Sequence, residues 1–200
     1  MIKDSLKGHY EMVGDSQINI DLRTRKRERR PIFYDKHVVE LIKEGSFTPF
    51  HLKEHAYATF AVLRMKTNPD MIFTVVNADL YSGNEKHIEK QMYNMIKHIN
   101  DGSYGKHPLF FLGMINEQTT LVRSLVKNSM NNAVALDTNN TTLSKTTFHN
   151  FGRLDDGKQR DFILLKDDEK KFKLNYARIL SKLERVDLTH YPVYAIYTMN

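Results

Sequence analysis

The sequence predicts a strand-rich, mixed α/β protein with sheet that is covered on both faces. Two observations carry this. Seven short runs rich in β-branched and aromatic residues are spaced along the chain, and several are almost continuously apolar, the pattern of strands buried on both faces rather than half-exposed. Between and after them lie two segments whose apolar residues recur at helical spacing.

In chain order, the strand-like runs are Pro31 to Tyr34, Val38 to Ile42, Tyr57 to Leu63 and Met71 to Leu80. Gly83 to Ile99 then reads as an amphipathic helix: Ile88, Met92, Met95, Ile96 and Ile99 share a face, Asn84 is suited to the N-cap, and Asn100-Asp101-Gly102 is a stop. Leu109 to Leu112 is a further strand. Glu117 to Met130, with Leu121, Val122, Leu125 and Val126, is a second helix candidate that runs into a polar loop from Asn131 to Thr142. Phe162 to Leu165 and Tyr191 to Tyr197 complete the strands. No internal repeat or linker interrupts the order, so residues 1–200 read as a single domain.

Composition narrows the chemistry. The chain has 200 residues and no cysteine, which removes disulfides, thiolate metal sites and thiol nucleophiles together and leaves oxygen and imidazole for any metal. No apolar run is long enough to span a bilayer. The N-terminal stretch MIKDSLKGHYEMVGD lacks a signal pattern, so an intracellular location, cytoplasmic or nuclear, is expected. The net charge is +6, but Arg23 to Arg30 holds six basic residues and one acid, leaving only +1 for the rest of the chain. That run is suited to clamping phosphates or to nuclear import, and equally to being a solvated loop.

Two patterns with histidine carry little. His51-Leu-Lys-Glu-His55 matches a zinc motif literally, but Pro49 precedes it and a strand-like run follows, with no helix to bring the imidazoles together. His87 and His98 are three helical turns apart, too far to share an ion. The strand ends are more informative. Asn77 and Asp79, Asn116, Asp161 and His190 lie at the ends or entrances of four apolar strands, and polar groups gathered at sheet edges form oxygen-and-imidazole phosphoester sites. Taken singly, each is also an ordinary turn or cap residue.

In order, these segments resemble the endonuclease/exonuclease/phosphatase superfamily, the deoxyribonuclease I-like fold. Glu28-Arg-Arg-Pro-Ile-Phe-Tyr34 looks like the family's GE-x-x-PIFY segment, Gly45-Ser-Phe47 like its G-T-F continuation, Thr147-Phe-His-Asn-Phe151 like its T-F-H-G-F loop, and Leu188 to Val193 like its S-D-H-Y-P-V. The resemblance runs from about Tyr10 to Thr198. It implies a four-layer α/β/β/α sandwich of two mainly antiparallel mixed sheets, and Mg²⁺-assisted hydrolysis of a phosphate-containing substrate or nucleic acid. Residue by residue, it implies that Asn116, Asp161 and His190 match catalytic positions, Asp161 orienting the catalytic His190. Glu28 matches an acid supporting a second histidine.

The departures from the family pattern are as specific. Its G-D-x-N acid is Met114, its S-D-H acid is Thr189, and the histidine of its N-T-H-L is Asp79. The chain also starts downstream of the family's first strands, with an Asn and a metal-binding Glu, so a partner chain, a second copy or a rearranged N-terminus is expected to cover the shortened side. Met114 and Thr189 are poor ligands for a hard cation. At Glu28 and Asp79 two acids replace an acid–histidine pair, so one is expected to hold a proton or turn to a cation such as Arg29 or Arg30. The leading expectation is a degenerate phosphoester hydrolase-like domain, catalytically impaired, that binds phosphate or nucleic acid through Asn77, Arg25, Arg27, Arg29 and Arg30. The alternative is an active Mg²⁺-dependent nuclease or phosphodiesterase built on Asn116, Asp161 and His190, with Glu28 and Asp79 as metal ligands.

Overall fold

A computed structural model describes residues 8–14, 30–47, 58–80, 90–101 except 92, 96, 99 and 100, 106–115, 130–137, 146–151, 157–181 and 189–200. The chain divides into two compact units, Met1–Asp79 with Lys90–Phe110 and Leu80–Glu89 with Phe111–Asn200.

In the first unit, β1 (Tyr10–Val13) and β2 (Ile32–Asp35) form an antiparallel pair with Val13 opposite Ile32. Tyr34 donates its hydroxyl to a Glu11 carboxylate oxygen at 2.6 Å; burial and that neighbouring carboxylate push the phenol up to about 12. A larger antiparallel array follows in the order β3 (Val39–Phe47), β4 (Ala58–Met65), β5 (Ile72–Leu80). Pro108, at the entrance to β6 (Leu109–Ile115), accepts the Thr74 N–H of β5 at 2.8 Å. β4 is the expected doubly covered strand: Ala58 through Leu63 are all buried. The described positions between 90 and 101 are helical. Of the predicted apolar stripe, Met95 is described and fully buried, Ile88, Met92, Ile96 and Ile99 lie outside the described residues, and polar Gln91 is buried as well while Tyr93 is 67% exposed.

Gly45 of the Gly-Ser-Phe motif is explained by packing. It lies opposite Phe60 in the β3–β4 register, and a Cβ at Gly45 would stand 2.6 and 2.8 Å from the Phe60 ring. The ring therefore occupies the space any other residue would need, and Phe60 is itself buried.

In the second unit the remainder of β6 neighbours β8 (Asp161–Lys166), which neighbours β7 (Met130–Asn132). β9 (Phe172–Ile179) and β10 (Val193–Met199) form a separate antiparallel pair with a register break that leaves Asn175 as the extra residue. A core of Ala133, Val134, Ala177 and Ile179 is packed by Ile163, Leu174, Tyr191, Val193, Ala195 and Tyr197. The four-residue helix Ala133–Leu136 is capped by the Asn132 side chain, which accepts the Val134 N–H, and Asp137 at its end accepts the Ala177 N–H of β9 at 2.8 Å.

The structure differs from expectation in three places. β1 and β9 are strands without a continuous apolar run: β1 buries only Val13, and β9 sets polar and charged residues between its apolar ones. Met130 lies in β7 rather than at the end of a helix; residues 117–129 lie outside the described residues. The polar stretch from Asn131 begins as strand and helix rather than loop, since Asn132 acts as an N-cap and Ala133-Val134 are core.

Gly45→Ala is expected to destabilise the chain by about 1–3 kcal/mol through overpacking, and the loss to shrink in a Phe60→Leu background. Urea unfolding of the four proteins checks this; equal losses in both backgrounds would remove the Phe60 ring as the cause.

Candidate functional site

Within the second unit, the segment Thr146 to Asn150 ties together two stretches that approach their strands from different parts of the chain. On one side the Thr147 hydroxyl accepts the N–H groups of Arg160 and Asp161 at 2.8 and 3.0 Å, and the Thr147 N–H donates to the Lys158 carbonyl. On the other, Tyr191 N–H donates to the Thr147 carbonyl at 2.7 Å, and the N–H groups of His149 and Asn150 donate to the Thr189 carbonyl. Phe148 and His190 form an antiparallel bridge. Gln159 completes the frame, donating to the Asp161 carbonyl and accepting from the Asn132 side chain. The Ile115 N–H at the end of β6 donates to the Arg160 carbonyl at 2.7 Å.

This frame brings Asp161, the first residue of β8, to His190, just before β10. His190 Nδ1 lies 2.7 Å from Asp161 Oδ2, with the two side chains 30% and 26% exposed. A carboxylate facing Nδ1 fixes the proton there in either charge state and turns Nε2 away from the partner as the base-capable nitrogen. The His190 ring packs against Phe148 at 4.9 Å between centroids, and the Arg160 guanidinium sits 5.2 Å above Phe148. Beneath, buried His149 stacks on Tyr191 at 3.9 Å. The arrangement can accept or donate a proton at Nε2, with a cation on the neighbouring ring.

Within the first unit, Arg30 Nη2 meets Asp79 Oδ2 at 2.7 Å, and the Asn77 amide donates to the Pro31 carbonyl at 2.9 Å. An acid at 79 thus turns to a cation of the basic run, as the replacement of the family's histidine led one to expect. Asn116, Glu28, Arg25, Arg27 and Arg29 lie outside the described residues, as do both histidines of the His51–His55 pattern and His87; His98 stacks on Phe47 at 4.4 Å.

The donor set described here does not fit Mg²⁺. Met114 presents a thioether and Thr189 a neutral hydroxyl, while the carboxylates of Asp79 and Asp161 each face a guanidinium or an imidazole. Among the described residues no three His, Asp or Glu side chains gather into a metal site. Thr147 is the functional residue that the sequence names only inside a resemblance. Its signal, a Thr-Phe-His run before an Asp-led strand, says nothing of a hydroxyl accepting two N–H groups.

No family model matches the chain. A 28% identical relative, an uncharacterized protein of Encephalitozoon cuniculi, aligns over 191 residues, 94% of this chain and 60% of that protein. The chain thus spans less than two thirds of the curated relative it matches. An endonuclease/exonuclease/phosphatase from Bacteroides vulgatus superposes on all of this chain and 79% of its own, with a TM-score of 0.81 at 20% identity. The chain has the endonuclease/exonuclease/phosphatase fold. Two further structures with this likeness are the human Nocturnin catalytic domain with bound sulfate, at TM-score 0.74 and 15% identity over 100% of this chain and 75% of that one, and D. rerio TDP2 with a single-stranded DNA product, at 0.72 and 12% over 98% and 81%. The chain covers 79%, 75% and 81% of the length of these three neighbours.

Thr147→Val is expected to leave two backbone N–H groups without their acceptor, to cost about 2 kcal/mol, and to loosen the Asp161–His190 pair; Thr147→Ser should retain most of the stability. Urea unfolding and the His190 ring NMR signals read both effects, and a Val variant as stable as wild type would show that the hydroxyl is dispensable.

Proposed function

We propose that this chain is a single phosphoester hydrolase-like domain that has lost Mg²⁺-dependent hydrolysis and acts as a phosphate- or nucleic-acid-binding module. The observation that carries this reading is the split fate of the polar positions. The Asp161–His190 pair survives with its full hydrogen-bonded frame, whereas the acids that would ligate metal are Met114 and Thr189, and the acid at 79 is engaged by Arg30.

Arg30 supports the binding half of the proposal. It lies at the end of a run with five further basic residues, and such a cluster attracts polyanions by releasing their counterions. TDP2 with a single-stranded DNA product and Nocturnin with sulfate are neighbours in fold, and both hold an anionic ligand. In this reading Asp161 and His190 hold the approaches to β8 and β10 and face the ligand without activating water.

The same pair supports a second reading, an active enzyme in which Asn116, Asp161 and His190 carry hydrolysis with Glu28 and Asp79 on a metal. One set of measurements separates the two. Full-length protein assayed with Mg²⁺ or Mn²⁺ on a generic phosphodiester and on plasmid DNA should show no turnover above a His190→Ala control; turnover that His190→Ala abolishes would favour the enzyme. Charge reversal at Arg25, Arg27 and Arg29 should abolish salt-sensitive retention on heparin, and unchanged retention would sink the binding reading.

A further inference from the structure

The β9–β10 pair has a second face that neither the core nor the Asp161–His190 pair uses. Ala177, Val193 and Ala195 turn inward. Strand alternation therefore turns Tyr194 and Ile196 on β10, and Tyr176 and Arg178 on β9, the other way. The register sets Tyr194 opposite Arg178 and Ile196 opposite Tyr176, and past the extra residue it sets Thr198 opposite Lys173.

The four side chains nearest the middle are organised. The tyrosine rings meet edge to face with centroids 5.3 Å apart, and the Tyr194 hydroxyl donates to that of Tyr176 at 2.6 Å. The Arg178 guanidinium lies 4.5 Å over the Tyr176 ring, and Ile196 is 50% exposed. Neither strand contains an acid, and both their charged residues, Lys173 and Arg178, are exposed cations.

We propose that this outer face of β9–β10 is a stacking platform for single-stranded nucleic acid. Rings held by a hydrogen bond have little orientation left to lose when a base stacks on them, and Ile196 extends the apolar surface beside them. A guanidinium over a ring remains a cation whose N–H donors suit phosphate oxygens. Lys173 supplies a second cation further along the hairpin. Duplex nucleic acid keeps its base faces stacked inside, so the rings select the single strand. The platform uses no residue of the Arg23 to Arg30 run and stands if that run binds nothing.

The test is fluorescence anisotropy of the full chain with a labelled oligothymidylate, with the matched duplex as comparison, together with photocrosslinking of an iodouracil-substituted strand. Tyr194→Ala and Arg178→Gln should each weaken single-strand binding about 5- to 100-fold, Tyr194→Phe, which keeps the ring but loses the hydrogen bond, should weaken it less than Tyr194→Ala, and the duplex should bind less tightly. Crosslinks on the unmodified chain should fall within β9 or β10 and persist after charge reversal at Arg25, Arg27 and Arg29. Absence of single-strand binding, unchanged affinity in both the Ala and Gln variants, or crosslinks confined to other segments would overturn the proposal. The crosslink position decides even if a variant fails to fold.

Discussion

One threonine side chain and its carbonyl organise the second unit. The Thr147 hydroxyl accepts from Arg160 and Asp161 while its carbonyl accepts from Tyr191, so a single residue sets the separation between the entrance to β8 and the entrance to β10. Neighbouring bonds from His149 and Asn150 to Thr189 repeat the connection one step along. The distance between Asp161 and His190 follows from that backbone geometry. Because buried or half-buried N–H groups are costly to leave unpaired, the frame is held by folding stability whether or not the pair performs chemistry.

Under the proposed function, that separation of frame from chemistry accounts for which of the polar positions match the family pattern and which depart from it. Backbone bonds to Thr147 and Thr189 tolerate side-chain change on their partners: Thr189 accepts through its carbonyl with no carboxylate required. A metal site has no such tolerance, since a hard cation needs several charged or strongly polar oxygens at once, and replacing one by a thioether removes a ligand outright. Where the family's histidine is replaced by an acid, that acid pairs with a cation, Asp79 with Arg30. The positive charge concentrated in Arg23 to Arg30 thereby meets one acid directly.

Much of the fold was legible in sequence because most of its strands contain a continuous apolar run, the clearest being β4, buried from Ala58 to Leu63. Continuous apolar runs marked β2 to β6, β8 and β10, and the Asp at the head of Phe162 to Leu165 marked the start of β8 to the residue. What was missed has two causes: β1 and β9 have few buried residues, β9 with an extra residue besides, and β7 and the helix after it lie in an Asn-rich stretch in which Asn132 acts as a cap. In the site, Asp161 and His190 were named from their strand positions and the family resemblance, and an arginine partner was one of two outcomes expected where that resemblance sets Asp79 against Glu28, a held proton being the other. The two-donor role of the Thr147 hydroxyl depends on chain geometry 13 and 14 residues away, which no local pattern encodes. The Tyr176–Tyr194 platform was invisible for the same reason, since its members meet only once β9 and β10 are paired in register.

The proposed function requires that the donor set hold no divalent cation while the frame around Asp161 and His190 is kept. Calorimetric titration of the full chain with Mg²⁺, up to concentrations that fill carboxylate-built sites, tests it most directly. The account predicts no saturable heat and no change in thermal stability. A one-to-one isotherm that Asp161→Asn or Glu28→Gln removes would contradict it.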